Sequence, residues 1–476
     1  MSSDRITDKA RDQARSLVDS PQSDRGVTRA LAILTICTTL VVNKGEITGS
    51  DGLSMYDVGT SLADSGSLAV PPVFGVPGRH GLYYSRYGIG LPLVAAVAYA
   101  LVKPLAGLGR DPDVLGVAAA AAMMPVIFGL LVAAIYRFSR RLGAGTRAAS
   151  LAALGAVGGT YLLAYSKEFF SEPLTALCLI VSIEQALAER PGSAGAAVAA
   201  AGLTRPQAFA FAPVLMWWVW RRSSWPGLWR TTAALAAGAV ATCAYNAARF
   251  GAPFNFGYSA EMFSTPFLVG TGGLLFHPAK SIFLFAPIAL ALVPALVRLA
   301  RKDSTAFWLI SWNLGVAFSM AATWESFAGG WCWGPRLLII GVAPAFAAVA
   351  PWCEESKWRR NVVRVLFTAG ALVSLPATVV PTRAQQLDQP PPPVGPSVVR
   401  QYELIPFTFA FTAHHLLHDA GGSRQYASLW QVRAARALGP RGLWAGAFIT
   451  VLLLAGVGLS ARTLRRKLTA SGTWPI

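Results

Sequence analysis

The feature that most constrains this chain is its patterning: blocks of apolar residues separated by short clusters of arginine and lysine. A helix needs about 20 apolar residues to cross the hydrocarbon core of a bilayer, and basic clusters between such blocks are what holds a loop on the cytoplasmic side. Only 13% of the 476 residues are charged and 54% are hydrophobic, against about 25% charged in a soluble domain. A single soluble core, a fibre and a disordered chain are excluded. The net charge of +18 sits in clusters such as Arg221, Arg222 and Arg230 or Arg465, Arg466 and Lys467, which is positive-inside patterning and implies no nucleic-acid partner. Cys37, Cys178, Cys243, Cys332 and Cys353 are scattered, so neither a disulfide framework nor a cysteine metal site is expected. The first 26 residues are polar and carry Arg5, Lys9, Arg11, Arg15 and Arg25 ahead of an apolar stretch without a cleavage site. The amino terminus is therefore expected in the cytoplasm, with the first helix retained.

The fold expected is all-α and polytopic, with about 11–13 transmembrane helices, outer-face loops and juxtamembrane helices. The candidate spans are 27–43, 88–108, 114–136, 148–165, 173–188, 194–220, 231–246, 282–297, 306–322, 337–350, 362–380 and 443–459. Simple alternation cannot keep the clusters 137–147, 190, 221–230, 298–302, 357–364 and 462–467 on one side. Consistency returns if 88–108 does not cross fully and 194–220 is two half-helices broken at Thr204, Arg205 and Pro206, since proline removes a donor and strains the preceding turn. Residues 1–26 are then a cytoplasmic polar terminus. Residues 27–350 form a transmembrane catalytic module with outer loops 44–87, 166–172, 247–281 and 323–336. Residues 351–476 add the last helices, an outer loop 381–440 with a polyproline spacer at Pro390, and a basic cytoplasmic tail.

The residues that carry chemistry fall on those outer loops. Glu46, Asp51 and Asp57 are carboxylates at the membrane face in an acid-poor chain; such a group can deprotonate an attacking hydroxyl, or simply cap a helix beginning near Gly52. Arg86, among Tyr83, Tyr84 and Tyr87, suits a phosphate clamp or an interfacial arginine beside a tyrosine belt. Glu172, in YSKEFFSEP, either caps the helix opened by Pro173 or joins Asp51 in one cavity, where a second acid would help bind a hydroxyl or a divalent ion. Lys280 is a second candidate phosphate contact. Residues 323–336, TWESFAGGWCWGPR, bring Trp324, Trp331, Trp333 and Arg336 together; aromatic faces stack on sugar rings and also populate membrane interfaces. His414, His415, His418 and Asp419 lack the glutamate of a zinc-protease helix and read as an interfacial helix.

Taken in order, these motifs resemble the type C multipass glycosyltransferases of bacterial membranes, relatives of the protein mannosyltransferases and aminoarabinose transferases. The resemblance rests on Asp51 after the first helix, the basic and aromatic stretch from Tyr83 to Pro92, the SEP at Ser171, the YN..RFG..F..GY stretch from Tyr245, and GGWCWGPR from Gly329. It covers most of residues 27–350. Two departures stand out: Gly52 follows Asp51 where a second acid is commoner, and Tyr87-Gly88 follows Arg86 where Pro-Pro is commoner. The resemblance implies a polyprenyl-phosphate-linked sugar as donor and a glycan, lipid or protein of the envelope as acceptor. It makes Asp51 the base, with Glu172 as the second acid. Arg86 is implied to hold the donor phosphate. From the residues themselves Lys280 and Arg336 are expected as further phosphate contacts, and Tyr84, Tyr258, Trp324, Trp331 and Trp333 as the sugar and acceptor contacts. No cofactor is assigned, a divalent cation is left open, and no metal site is assigned. The location implied is the bacterial cytoplasmic membrane with an extracytoplasmic site. The alternatives are a transporter or flippase with Arg86, Lys280 and Arg205 along an anion path, and a lipid-linked glycan polymerase or ligase using Arg383 or Arg424.

Overall fold

The computed structural model describes residues 21–108, 112–258, 262–278, 280–330, 332–379, 430–431 and 439–470. The chain runs through α1 (Pro21–Val41), α2 (Ser50–Ser65), a two-residue hairpin of β1 (Val76–Pro77) and β2 (Tyr83–Tyr84), α3 (Gly90–Val102), α4 (Pro112–Arg141), α5 (Thr146–Gly158), α6 (Glu172–Leu187), α7 (Pro191–Thr204) and α8 (Ala212–Arg222). It continues through α9 (Trp225–Phe250), α10 (Phe267–Phe276), α11 (Leu292–Lys302), α12 (Ser304–Thr323), α13 (Ile339–Ala345, extended by Val349–Glu354), α14 (Lys357–Val379) and α15 (Pro440–Ala470). The protein is an integral membrane protein, and among the described residues its architecture is all-α apart from the small hairpin. Among the described residues, five helical runs are long and apolar enough to cross a bilayer: Asp113–Arg141, Ser304–Thr323, Arg336–Glu354, Lys357–Thr378 and Pro440–Ala470. The other described spans expected from the sequence are helices that are shorter, interrupted or more polar.

Burial sorts these helices by role. The run Arg336–Glu354 is 89% buried and forms the centre with α4 and α6, whereas only 11% of the apolar window of α15 is buried. A helix apolar all round needs either a protein core or lipid to cover it; the central run has the first and α15 the second. α15 packs on α1, where Gly456 meets Cys37. At the far end of α1, Trp430 and Gln431 cap the helix. The Trp430 indole donates to the Leu40 carbonyl at 3.0 Å, the Gln431 amide donates to Val41 at 2.9 Å, and the Trp430 backbone donates to Asn43. These are carbonyls that a helix terminus leaves without intrahelical partners.

One of the two adjustments that the charge pattern required, the break in 194–220, has a structural counterpart. The other segment, 88–108, is α3 continued without a break by a 3₁₀ run, Lys103–Leu108. α7 stops at Thr204, Arg205 is extended (φ −143°, ψ 111°), and Pro206 opens a 3₁₀ turn before α8. Two other expected spans are interrupted: 148–165 at Gly159, whose carbonyl leaves no room for a side chain at Gly370, and 282–297 at Ala286 and Pro287. The basic clusters gather at one end of the bundle. Arg140 pairs with Asp24 at 3.0 Å, Arg137 with Glu184 at 2.9 Å, and Arg298 and Arg359 with Glu355. Arg147 donates to the Leu468 carbonyl at 2.8 Å, and Pro191 packs on Gly227.

Candidate functional site

At the opposite end lies a cavity of about 820 Å³. Asp51 reaches it from the first turn of α2. The residue before that helix, Gly49, offers no side-chain cap, and the Asp51 carboxylate turns to Arg336, whose Nη1 donates to Oδ2 at 3.0 Å. The capping role open from the sequence is not the one adopted. Burial raises the Asp51 carboxyl, but the charge of Arg336, hydrogen bonds from Tyr87 and Arg336, and the charge of Arg86 outweigh it and hold the group below its ordinary value. Tyr87 is itself pushed up, by burial first and by the charge of Asp51 second, so its phenol remains a donor.

Arg86 projects from the strand end that follows β2, with its guanidinium 5.6 Å from the Tyr87 ring centre and 5.1 Å from that of Tyr258. Its backbone is clamped from below. Buried Arg249 donates to the carbonyls of Ser85 and Tyr87, on either side of Arg86, and to Asn246 at 2.7 Å. The YN..RFG stretch thereby acquires a physical role, because its arginine holds the loop that carries Arg86. Gly88 and Gly90 then press on the end of α7. A Cβ at Gly88 would lie 2.4 Å from the Leu203 carbonyl oxygen and one at Gly90 2.1 Å from the Thr204 hydroxyl. This contact sets the segment that follows Arg86 against the end of α7, where Arg205 comes next.

Glu172 is the first residue of α6 and has no exposed side-chain surface. Its Oε1 lies 2.7 Å from Arg205 Nη1 and 3.3 Å from Arg336 Nε. Arg336 thus bridges both acids, with its guanidinium 4.3 Å from the Phe170 ring centre. Like charges on Asp51 and Glu172 are kept apart by the cation between them, which removes the mutual repulsion expected had they shared a site directly. Arg205 also donates to Ser171 at 3.2 Å, while its Nε has no hydrogen-bond acceptor among the described residues.

The structure brings together Asp51, Arg86, Tyr258, Trp324 and Arg336 as lining of the cavity, and adds Arg205, Tyr87 and Phe170. Tyr258 and Trp324 meet edge to face at 5.5 Å. Glu172 lies behind this wall and acts on the cavity through Arg205 and Arg336. Lys280 is not part of the lining: its ammonium is buried beneath the glycine-rich loop, donating to the carbonyls of Cys332 at 2.7 Å, Gly330 at 3.3 Å and Gly334 at 3.4 Å. Burial pulls its pKa below the usual lysine value despite the Cys332 thiol. The loop closes around Lys280 because an ammonium has three donors to place, and burial keeps bulk solvent from them. Tyr84 is buried against Phe250 at 6.1 Å and Trp333 against Phe285 at 5.4 Å, so both are packing residues and not part of the lining. Trp331 and the histidines 414, 415 and 418 lie outside the described residues, as do Arg383 and Arg424. Among the described residues no group of three or more His, Cys, Asp or Glu gathers in metal-binding geometry.

No family model matches the chain, and no curated protein matches it. Among solved structures, the chain is similar to one titled "Crystal Structure of ArnT from Cupriavidus metallidurans in the apo state", at 16% identity over 94% of this chain and 76% of that one, with a TM-score of 0.48.

Proposed function

We propose that this protein is a membrane glycosyltransferase that moves a sugar from a polyprenyl-phosphate donor to a hydroxyl of an envelope glycan, lipid or protein, on the extracytoplasmic face. The observation that carries the reading is the charge arrangement of the cavity: among the described lining residues Asp51 is the one acid, and Arg86, Arg205 and Arg336 stand with it between aromatic and apolar walls. A donor of this class needs a base for the acceptor, cations for the departing phosphate and an apolar wall for its tail.

In the proposed reaction the acceptor oxygen attacks the anomeric carbon as the bond from that carbon to the phosphate oxygen breaks. The phosphate leaves with the electron pair, Asp51 takes the hydroxyl proton, and configuration inverts. Asp51 is a weak base because it is held ionised, so the proton moves late, when the attacking oxygen has become acidic. Charge accumulates on the phosphate in the transition state, and preorganised arginines lower the barrier there more than they tighten substrate binding. Glu172 is a positioning residue that orients Arg205 and Arg336. The arrangement of basic clusters at the other end of the bundle supports an outer position for the cavity.

The test is release of free polyprenyl phosphate from a panel of polyprenyl-phosphate sugars by the full chain in lipid nanodiscs. Turnover by the wild type and none by a folded Asp51→Asn variant is the expected result. A transporter reading draws on the same arginines, and movement of intact donor across vesicles without cleavage would replace the transferase.

A further inference from the structure

The hairpin joining α8 to α9 plays no part in the proposed reaction. Residues 217–230 read WWVWRRSSWPGLWR. Trp217, Trp220, Trp225 and Trp229 are 39%, 67%, 66% and 58% exposed, and Arg221, Arg222 and Arg230 are exposed beside them. We propose that this hairpin is a binding site for the headgroup of an anionic phospholipid, at the end of the bundle opposite the cavity.

Three observations converge on that ligand. The first is unbalanced charge: no aspartate or glutamate occurs between Glu189 and Glu261, and none of Arg221, Arg222 and Arg230 pairs with an acid among the described residues. Elsewhere at this end Arg140, Arg137 and Arg298 each have a carboxylate partner, and Arg462, Arg465 and Arg466, which share the lack of an acid among the described residues, have no tryptophan frame beside them in the sequence. The second is the tryptophan frame. Indole rings settle at headgroup level, where one edge is apolar and the N–H is wet. Arg221 stacks 5.5 Å from the Trp217 ring centre, and Trp225 meets Trp229 edge to face at 5.8 Å. The third is convergence of chain ends. α7 and α9 both begin here, packed where Pro191 meets Gly227 and Gly192 meets Arg230, so two positive helix ends lie side by side. A phosphodiester between acyl chains satisfies all three: its charge meets the arginines and the positive helix ends, and its depth at the glycerol level meets the indoles. Free phosphate would leave the tryptophan frame without a role.

The inference rests on the membrane fold alone and stands or falls separately from the transferase reading. The full chain in detergent is equilibrated with a mixture of phosphatidylglycerol and phosphatidylcholine, and retained lipid is read by native mass spectrometry. The expected result is one phosphatidylglycerol held in preference to phosphatidylcholine. Replacing Arg221, Arg222 and Arg230 by glutamine should remove the preference, by roughly fivefold for each arginine at low salt. The same change at Arg462, Arg465 and Arg466 should preserve it. If the hairpin triple variant fails to fold, the single Arg222→Gln variant carries the test, with roughly a fivefold loss expected. Equal losses from the two clusters, or no preference in the wild type, overturn the site. Displacement of the lipid by millimolar glycerol phosphate overturns the lipid assignment in favour of a free-phosphate site.

Discussion

The loop 324–336 and the hairpin 217–230 are made from the same residue types, tryptophan, arginine, glycine and proline, yet they end in opposite environments. In the loop, Trp333 is buried against Phe285 and Arg336 lies between Asp51 and Glu172 with Phe170 beside it. In the hairpin, Trp220 and Trp225 are about two-thirds exposed and the arginines meet no carboxylate among the described residues. Composition does not separate the two; the acids that other segments bring to them do. An arginine can be buried where two carboxylates await it, because an uncompensated buried charge costs several kcal/mol. Without them it stays at the surface and waits for an external anion.

The difference can be broken or sharpened by substitution. Asp51→Asn should lower donor turnover on the order of 10⁴-fold, about 5.5 kcal/mol of barrier, as a positioned base is removed. Because the folded Asp51 pKa is depressed, the wild-type rate should be flat on the acid side and fall only below the ordinary aspartate value of 3.8; a rate that halves near pH 6 would remove Asp51 as the titrating base. The sign for stability is the same: the Asp51 contribution is present above that value and lost as pH falls through the lower folded one. Glu172→Ala should destabilise the fold by about 3 kcal/mol, since it removes the one acid paired with Arg205 among the described residues and leaves Arg336 with Asp51 alone, and thermal unfolding in detergent would show it; Glu172→Gln should recover part of the loss. Trp324→Ala should raise KM about tenfold with little change in kcat, by removing an aromatic wall of the cavity. Arg222→Gln should move stability by less than about 0.5 kcal/mol. A large effect there, seen by the same unfolding assay, would mean that the hairpin is internally braced and the contrast with the loop false.

Much of this is legible in the sequence where a residue type has few physical options. The break at Arg205 follows from charge sidedness and a proline, and Asp51, Arg86 and Arg336 are recognisable because charges at a membrane face are costly unless used. Lys280 is where the pattern misleads. A lysine near a glycine-rich loop reads as a phosphate contact, but the carbonyls that cage it come from residues 50 or more positions away. Arg205 reads as a kink marker and an anion contact, whereas its pairing with Glu172 joins two separate helix ends that no local pattern connects. Arg249 leaves a signal in its motif but no hint that its role is to hold the backbone around Arg86. Tyr84 and Trp333 show the converse: aromatic residues beside a site satisfy the core as readily as they face a ligand.

The cap that Trp430 and Gln431 place on α1 bears on biogenesis. The Trp430 indole closes on a carbonyl 390 positions earlier, and α15, which flanks the same helix, comes later still. At about 5–20 residues per second, α1 spends roughly 20–80 s of synthesis with its end uncapped and its long-term neighbour not yet made. During that interval the first helix must be held by lipid, by the insertion machinery or by α4. A ribosome that stalls before Trp430 therefore leaves a chain that contains every residue of the cavity but has a loose first helix, and that looseness is a mark by which quality control could recognise an unfinished product.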